Sequence, residues 1–232
     1  MCGAYTVIES WLTEQTDASR HGRSLAIYTA IVLTSMAVGQ YLLGLAETNP
    51  LYPFILVSLL VGCAIVPVSL TRSLAPVPVP ATRFSFSKLY RRSHTAFAGG
   101  LGSGVITGSF WALGAIYVLA QTNDPSFVPA FIAANIIGGA LAQYPIGMAS
   151  DRIDRRFVLS ALCAASGLSA FGLLYAETQQ ELLLGAFAFG AAANSLYAIS
   201  LAKAADNSKR DEFVTLGSSV LLLCALGSAG GS

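Results

Sequence analysis

Residues 147–156 read Gly147-Met-Ala-Ser-Asp-Arg-Ile-Asp-Arg-Arg156, and they separate two apolar runs, 127–149 and 157–176. Charge crowded into a short connector between two such runs marks a chain that turns back at a membrane surface, because each run approaches the ~20 residues a spanning helix requires. Working outward, roughly 24–46, 51–71, 94–120 and 180–202 have the same character, and a seventh run, 212–228, is slightly short. An isolated strand could not satisfy its backbone in hydrocarbon, so these runs are expected to be helices. Composition agrees. Of 232 residues 54% are apolar and 11% charged, mean hydropathy is +0.64 and the net charge is +1. Soluble domains carry about a quarter charged residues, so too little charge remains here for a solvated shell. Disorder, coiled coil, collagen and a disulfide scaffold fail on the same figures. Nucleic-acid binding, which needs a phosphate-neutralising surface, is excluded as well. The expected fold class is an all-α polytopic membrane protein.

The cations segregate. All 13 Lys and Arg fall in alternate connectors: Arg20 and Arg23; Arg72 through Arg92; Arg152, Arg155 and Arg156; Lys203, Lys209 and Arg210. The intervening connectors hold Glu47, Asp124, Glu177 and Glu181 and no basic residue. The positive-inside rule places the basic connectors in the cytoplasm. The longest of them carries Pro76, Pro78 and Pro80, then Arg83-Phe-Ser-Phe-Ser-Lys-Leu-Tyr-Arg-Arg92. This suits a semi-rigid spacer leading into a short interfacial helix, aromatics in the headgroups and cations toward anionic lipid. It equally suits a disordered linker between two helical groups. Residues 12–21 echo residues 201–210, each an apolar end followed by Asp-x-Ser-basic, as expected of two related bundles. Both chain ends read as cut, since 1–12 is too short to span and 227–232 stops as an apolar run is ending. Cys2, Cys63, Cys163 and Cys224 lack metal or redox spacing and are expected to be small buried hydrophobes.

The connector at 147–156 resembles the signature loop of the major facilitator superfamily, G-x-x-x-D-R-x-G-R-[RK], with Gly147, Asp151, Arg152, Arg155 and Arg156 on its fixed positions. Arg20-His-Gly-Arg-Ser-Leu-Ala-Ile-Tyr28 is similar to that family's entry to its fifth helix. Tyr5-Thr-Val-Ile-Glu-Ser-Trp-Leu12 and the Asp-Arg-x-Asp-Arg-Arg variant resemble the YcaD-like bacterial branch. One position departs: Asp154 stands where the family has Gly, and a positive φ is expected there, which Asp tolerates better than most residues.

The resemblance implies a partial major-facilitator fold running from the end of helix 4 to helix 11 of twelve. Residues 1–71 would end the N-terminal bundle, 72–93 form the cytoplasmic linker and 94–232 an incomplete C-terminal bundle. It implies a monomeric, multi-pass protein of the bacterial inner membrane. Such a protein moves a small organic solute by rocker-switch alternating access, and the visible spans, lacking fixed charge, favour efflux of an apolar or amphipathic compound. No cofactor or metal is implied. A transport-inactive receptor or regulatory protein on the same fold is the alternative. In the loop, Asp151 is expected to accept backbone N–H groups at the tip of the helix starting near Arg23. Arg152 and Arg155 are expected to pair with Asp206, Glu9, Glu14 or Asp17, and these contacts would bias a two-state motion. Plain topology-setting charge is the other reading, most of all for Arg156.

Polar groups inside the spans are the candidates for a substrate path, since each costs free energy unless it meets a cavity or a partner. Asn135, Gly139, Gln143 and Gly147 recur every four residues on one helix; Asn194 and Tyr197 share a face. Gln40, Trp111 and Tyr117 complete the set. An interhelical hydrogen bond of about 1 kcal/mol is the structural alternative for Asn135 and Gln40. Gly100, Gly104 and Gly108 read as a packing stripe. Glu9, the one carboxylate inside an apolar run, has the setting a proton-coupling group needs, although pairing with a loop arginine also fits. His21 and His94 sit at membrane edges without ligands at metal spacing, and there is no phosphate-binding glycine loop. A transporter, not an enzyme, is expected.

Overall fold

The computed structural model describes residues 21–42, 49, 51–70, 85–206 and 210–231. The described residues form α-helices and one 3-10 turn, and no strand is found among them. The chain divides into two units, Met1–Pro80 and Ala81–Ser232. The first contains α1 (His21–Leu42) and α2 (Tyr52–Leu70). Asn49 starts α2: its side chain accepts from the Leu51 N–H at 2.9 Å and its carbonyl from the Tyr52 N–H at 3.1 Å. Phe54, Ile55, Leu59 and Val61 of α2 are all exposed, as a helix whose solvent is lipid requires.

The second unit contains α3 (Phe86–Arg92), α4 (His94–Thr122), the turn Pro125–Phe127, α5 (Val128–Arg152), α6 (Arg155–Leu173), α7 (Gln179–Asp206) and α8 (Arg210–Gly231). Among the described residues four helices are long and apolar enough to cross a membrane: His94–Thr122, Pro125–Arg152, Arg155–Leu173 and Gln179–Ala204. Local chemistry sets their ends. Ser93 caps α4 by accepting from the Ala96 N–H at 3.1 Å. Asn123, at φ 51°, closes α4 in the left-handed region that asparagine tolerates. Thr178 and Glu181 form a reciprocal capping box before α7, Glu181 accepting from the Thr178 N–H at 3.0 Å and donating its own N–H to Thr178 Oγ1 at 3.2 Å.

Side-chain register fixes the helix directions. Gly100, Gly104 and Gly108 of α4 meet Val220, Cys224 and Ser228 of α8 in turn, so the two helices run the same way. The packing expected of that stripe is found, for a methyl on Gly104 would overlap the Cys224 carbonyl. Helices α5 and α7 are also parallel, Gly138 facing Phe187 and Gly139 facing Asn194. Helix α7 opposes α4, because Gly99 faces Ser200 while Phe110 stacks on Phe189 at 5.3 Å. It opposes α6 as well: Leu173 lies on Gly185, while Leu159 and Leu162 cluster with Leu196 and Ile199. These directions bring α3, the Arg152–Arg155 connector, Lys203 and the start of α8 to one end of the unit. Asp124, Glu177 and Glu181 lie at the other.

The two parallel seams are copies of one another. Exchanging α4 with α7 and α8 with α5 maps Gly104 on the Cys224 carbonyl onto Gly190 on the Asn135 carbonyl. It also maps Gly227 on the Leu101 carbonyl onto Gly138 on the Phe187 carbonyl, and Gly108 on Ser228 onto Asn194 on Gly139. The two seams are thus related as an inverted repeat, and the buried Asn135 and half-buried Asn194 stand where the other half has Cys224 and Gly108.

Two expectations are corrected. Cys63 and Cys163 are exposed, because lipid outside the helices is as apolar as the interior, and Cys224 is intermediate. Asp154 has φ −56°, an extended helix-capping geometry, and needs no left-handed turn.

Candidate functional site

At the basic end, Ile153 is extended (φ −118°, ψ 151°) and ends α5, and Asp154 caps α6 by accepting from the Arg156 N–H at 3.0 Å. That backbone hydrogen bond, helped by the Lys203 ammonium, holds the Asp154 carboxyl below its usual range. Lys203 Nζ, from the last turn of α7, reaches Asp154 Oδ1 at 3.5 Å. Arg155 spans two carboxylates: Nη2 lies 3.1 Å from Asp151 Oδ1 and Nε 3.4 Å from Asp206 Oδ2. Two crossing ion pairs, Arg155–Asp206 and Asp154–Lys203, therefore tie the loop to the end of α7. Asp151 keeps a side chain 74% exposed. Arg152 and Arg156 are exposed, and Gly147 has open space where a side chain would go. Lys203 was not singled out from sequence, since nothing local links it to a residue 49 positions earlier.

In the middle third of their spans, Asn135 and Asn194 meet. Asn194 Nδ2 donates to Asn135 Oδ1 at 3.3 Å and to the Asn135 carbonyl at 3.4 Å. Asn135 is 1% exposed, and its Nδ2 is the one buried side-chain polar atom without a hydrogen-bond partner among the described residues. No Asp, Glu, Lys or Arg occurs from 125 to 150 or from 182 to 202, so neither helix places a fixed charge beside the pair. Glycine makes room for the pair: a methyl on Gly139 would overlap Asn194 Nδ2, and one on Gly190 the Asn135 carbonyl.

The other candidates are dispersed. Gln143 and Trp111 are exposed, the latter edge-on to Phe110 with centroids 6.2 Å apart. Tyr197 is half-buried against the Leu89–Ala96–Leu216 cluster. Gln40 is half-buried in α1, in the other unit. Arg23 lies in α1, and Glu9, Glu14 and Asp17 fall outside the described residues.

A cleft of about 460 Å³ lies between α4 and α6, walled by Phe110, Phe131, Ile106 and Leu173. Its polar groups are already engaged. Tyr117 Oη donates to the Leu173 carbonyl at 2.5 Å, Ser166 Oγ to the Leu162 carbonyl at 2.8 Å and Ser109 Oγ to the Val105 carbonyl at 2.8 Å. An apolar cleft whose hydroxyls donate to backbone carbonyls suits a hydrocarbon better than a polar solute. A more polar recess of about 600 Å³ opens at the acidic end beside Gln121, Tyr175 and Glu177.

A family model described as Major Facilitator Superfamily matches residues 1–231. The uncharacterized MFS-type transporter YcaD of Escherichia fergusonii is 26% identical over 226 residues, covering 97% of this chain and 58% of its own length. An uncharacterized MFS-type transporter of Yersinia pestis (strain Pestoides F) is 27% identical over 237 residues, covering 98% and 59%. YcaD of Salmonella arizonae is 25% identical over 226 residues, covering 97% and 58%. The chain thus spans less than two thirds of the length of these curated relatives.

Proposed function

The chain belongs to the major facilitator superfamily, and from that premise we propose that it forms part of a secondary active transporter. Two helical bundles, the second beginning after the 72–93 linker, rock about a central path and carry a small organic solute out across the inner membrane. A coupling proton, with Glu9 as its acceptor, fits the same scheme. The protein is a multi-pass membrane protein of a transporter family, which points away from enzymatic chemistry.

The observation that carries the proposal is the unpartnered Asn135 Nδ2. A buried donor left without an acceptor costs about 1–3 kcal/mol. Packing does not demand it, because the equivalent seam is closed by Cys224 and Gly108 with no amide. A donor retained at that cost has a use when an acceptor arrives, and a neutral solute bearing a carbonyl or hydroxyl supplies one without requiring a countercharge. At the basic end, the ties of the loop to α7 keep that end together as one body. The exposed Asp151 serves as the latch, accepting N–H groups at the tip of the helix that begins near Arg23.

Reconstituting the full-length transporter in proteoliposomes and imposing a proton gradient tests this. Solute flux that Asp151→Ala abolishes is the expected result. No flux over a broad panel of neutral and amphipathic solutes would overturn the reading.

A further inference from the structure

Two cavities of the second unit lie end to end. The apolar cleft of about 460 Å³ runs along α4 and α6 from Val105 and Cys163 to Tyr117 and Leu173. The recess of about 600 Å³ takes over at Gln121 and Tyr175, and Leu174 lines both. Helices α4 and α6 point the same way, so the recess continues the cleft toward the acidic end. From Val105 to Tyr117 a helix rises about 18 Å at ~1.5 Å per residue, close to half of a ~30 Å hydrocarbon core. The boundary between the cavities is marked by Tyr117, whose Oη donates to the Leu173 carbonyl and accepts from Gln121 Nε2 at 3.5 Å. A tyrosine so placed suits the edge of the hydrocarbon. Charge divides the two cavities as well. The sequence holds no Lys or Arg from 93 to 151 or from 157 to 202. Asp124 accepts from the Ser126 N–H at 3.0 Å, and Glu181 from the Glu177 and Thr178 N–H groups at 2.8 and 3.0 Å. Glu177 instead lines the recess, exposed, and its carboxylate has no partner among the described residues.

A slot one leaflet deep, apolar below and polar with an unpaired carboxylate above, matches a lipid by length and by charge. We propose that the two cavities together bind a phospholipid whose headgroup carries a primary ammonium, in the leaflet at the acidic end. One acyl chain fills the cleft, where the hydroxyls already donate to backbone carbonyls and hydrocarbon displaces nothing polar. The ammonium meets Glu177, and the Gln121 and Gln179 amides, which also line the recess, offer N–H groups to the phosphate. A glycerol headgroup brings a net negative charge to Glu177 with no cation to offset it, so the site discriminates by headgroup. The proposal rests on α4 and α6 being membrane spans and does not depend on the protein transporting anything.

The test uses the full-length protein in nanodiscs of 1:1 POPE and POPG, with retained lipid counted by native mass spectrometry. Wild type should retain POPE in preference. An exposed ion pair is worth up to about a fivefold change in occupancy, so Glu177→Gln should lower that preference about fivefold and Glu177→Lys should reverse it. Glu181→Gln, an equal charge loss at the same end but outside the recess, should leave the preference within twofold of wild type. Gly167 lines the cleft, and a methyl added there meets open space, so Gly167→Leu fills the cleft without touching the backbone of a neighbour. That variant should retain one lipid fewer. Thermal unfolding in pure POPC shows that each variant folds. The proposal is overturned if wild type retains POPE and POPG equally, or if Glu181→Gln lowers the preference as much as Glu177→Gln, since diffuse charge would then suffice. It is overturned too if Gly167→Leu retains as much lipid as wild type, because the cleft would then hold no acyl chain.

Discussion

Asn135→Ala separates a strut from a working donor. Removing the side chain relieves an unpartnered buried amide, a gain of about 1–3 kcal/mol. It also deprives Asn194 Nδ2 of its 3.3 Å acceptor, a loss of about 1 kcal/mol for an interhelical bond in a membrane. The Asn135 carbonyl, at 3.4 Å, still receives that donor, so Asn194 is not orphaned in turn. The small void left behind costs about 1 kcal/mol or less. These terms nearly cancel, and the unfolding free energy in an SDS titration should stay within about 1 kcal/mol of wild type. Transport should behave otherwise. Losing one neutral hydrogen bond to the solute, about 1.4 kcal/mol, corresponds to a tenfold fall in kcat/KM in proteoliposomes. A variant destabilised by more than about 2 kcal/mol whose folded fraction transports at the wild-type rate would show that Asn135 is a strut, and the reasoning from its orphaned nitrogen would be refuted.

The seams, the loop and its capping carboxylate make further predictions. Gly104→Ala should lower the unfolding free energy by several times more than Gly147→Ala, because the first methyl overlaps the Cys224 carbonyl and the second meets open space; SDS titration of both compares them. Arg155→Gln and Asp206→Asn, taken singly and together in a double-mutant cycle, should couple by about 1 kcal/mol or less in stability, since the pair is only partly buried. Asp154→Ala should lower the unfolding free energy through loss of the cap, while Asp154→Asn retains most of it. The folded Asp154 carboxyl is held below its usual range, so its stabilisation is complete above the ordinary carboxylate pKa and is lost as pH falls through the lower folded value. A melting-temperature series from pH 6 to pH 2 should therefore fall less steeply for Asp154→Asn than for wild type at its acid end.

The helices were legible from the sequence because lipid sets a length and forbids charge, and both leave marks in one dimension. The predicted run 94–120 becomes His94–Thr122, closed by Asn123, and 180–202 becomes Gln179–Asp206, its start set by the Thr178–Glu181 box. The Gly100-Gly104-Gly108 stripe was readable as packing for the same reason, since small residues at helical spacing have one principal use. The inverted repeat was not readable. Its halves run in opposite directions and share backbone approaches, not residue identities, so Asn194 corresponds to Gly108 and Asn135 to Cys224. At Asp154 the family pattern points to a glycine turn, whereas an acceptor one residue before a helix is what a cap requires. Lys203 carries no local signal at all; only the antiparallel course of α6 and α7 brings it to the loop.

In the rocking scheme proposed above, the arrangement at the basic end separates two tasks that a moving bundle must keep apart. A latch between bundles has to break in each cycle, so its free energy must be small and its groups reachable by water. The ties that keep a bundle rigid must not break, so they should be redundant. Arg155 of the loop and Lys203 of α7 supply the second property: each joins the loop to α7 through a different carboxylate, and neutralising one leaves the other standing. Asp151 suits the first as the proposed latch, because among the described residues only Arg155 holds it, at 3.1 Å, and three quarters of its side chain stays exposed. The substitution of Asp for Gly at 154 then has a direction. It adds a second tie inside the bundle without touching the latch, and so should slow local opening of the loop more than it slows transport. Hydrogen exchange of the Arg155–Phe157 amides in Asp154→Gly measures the first quantity and proteoliposome flux the second. Equal changes in both would mean that holding the bundle and latching it are one task, served by the same residues.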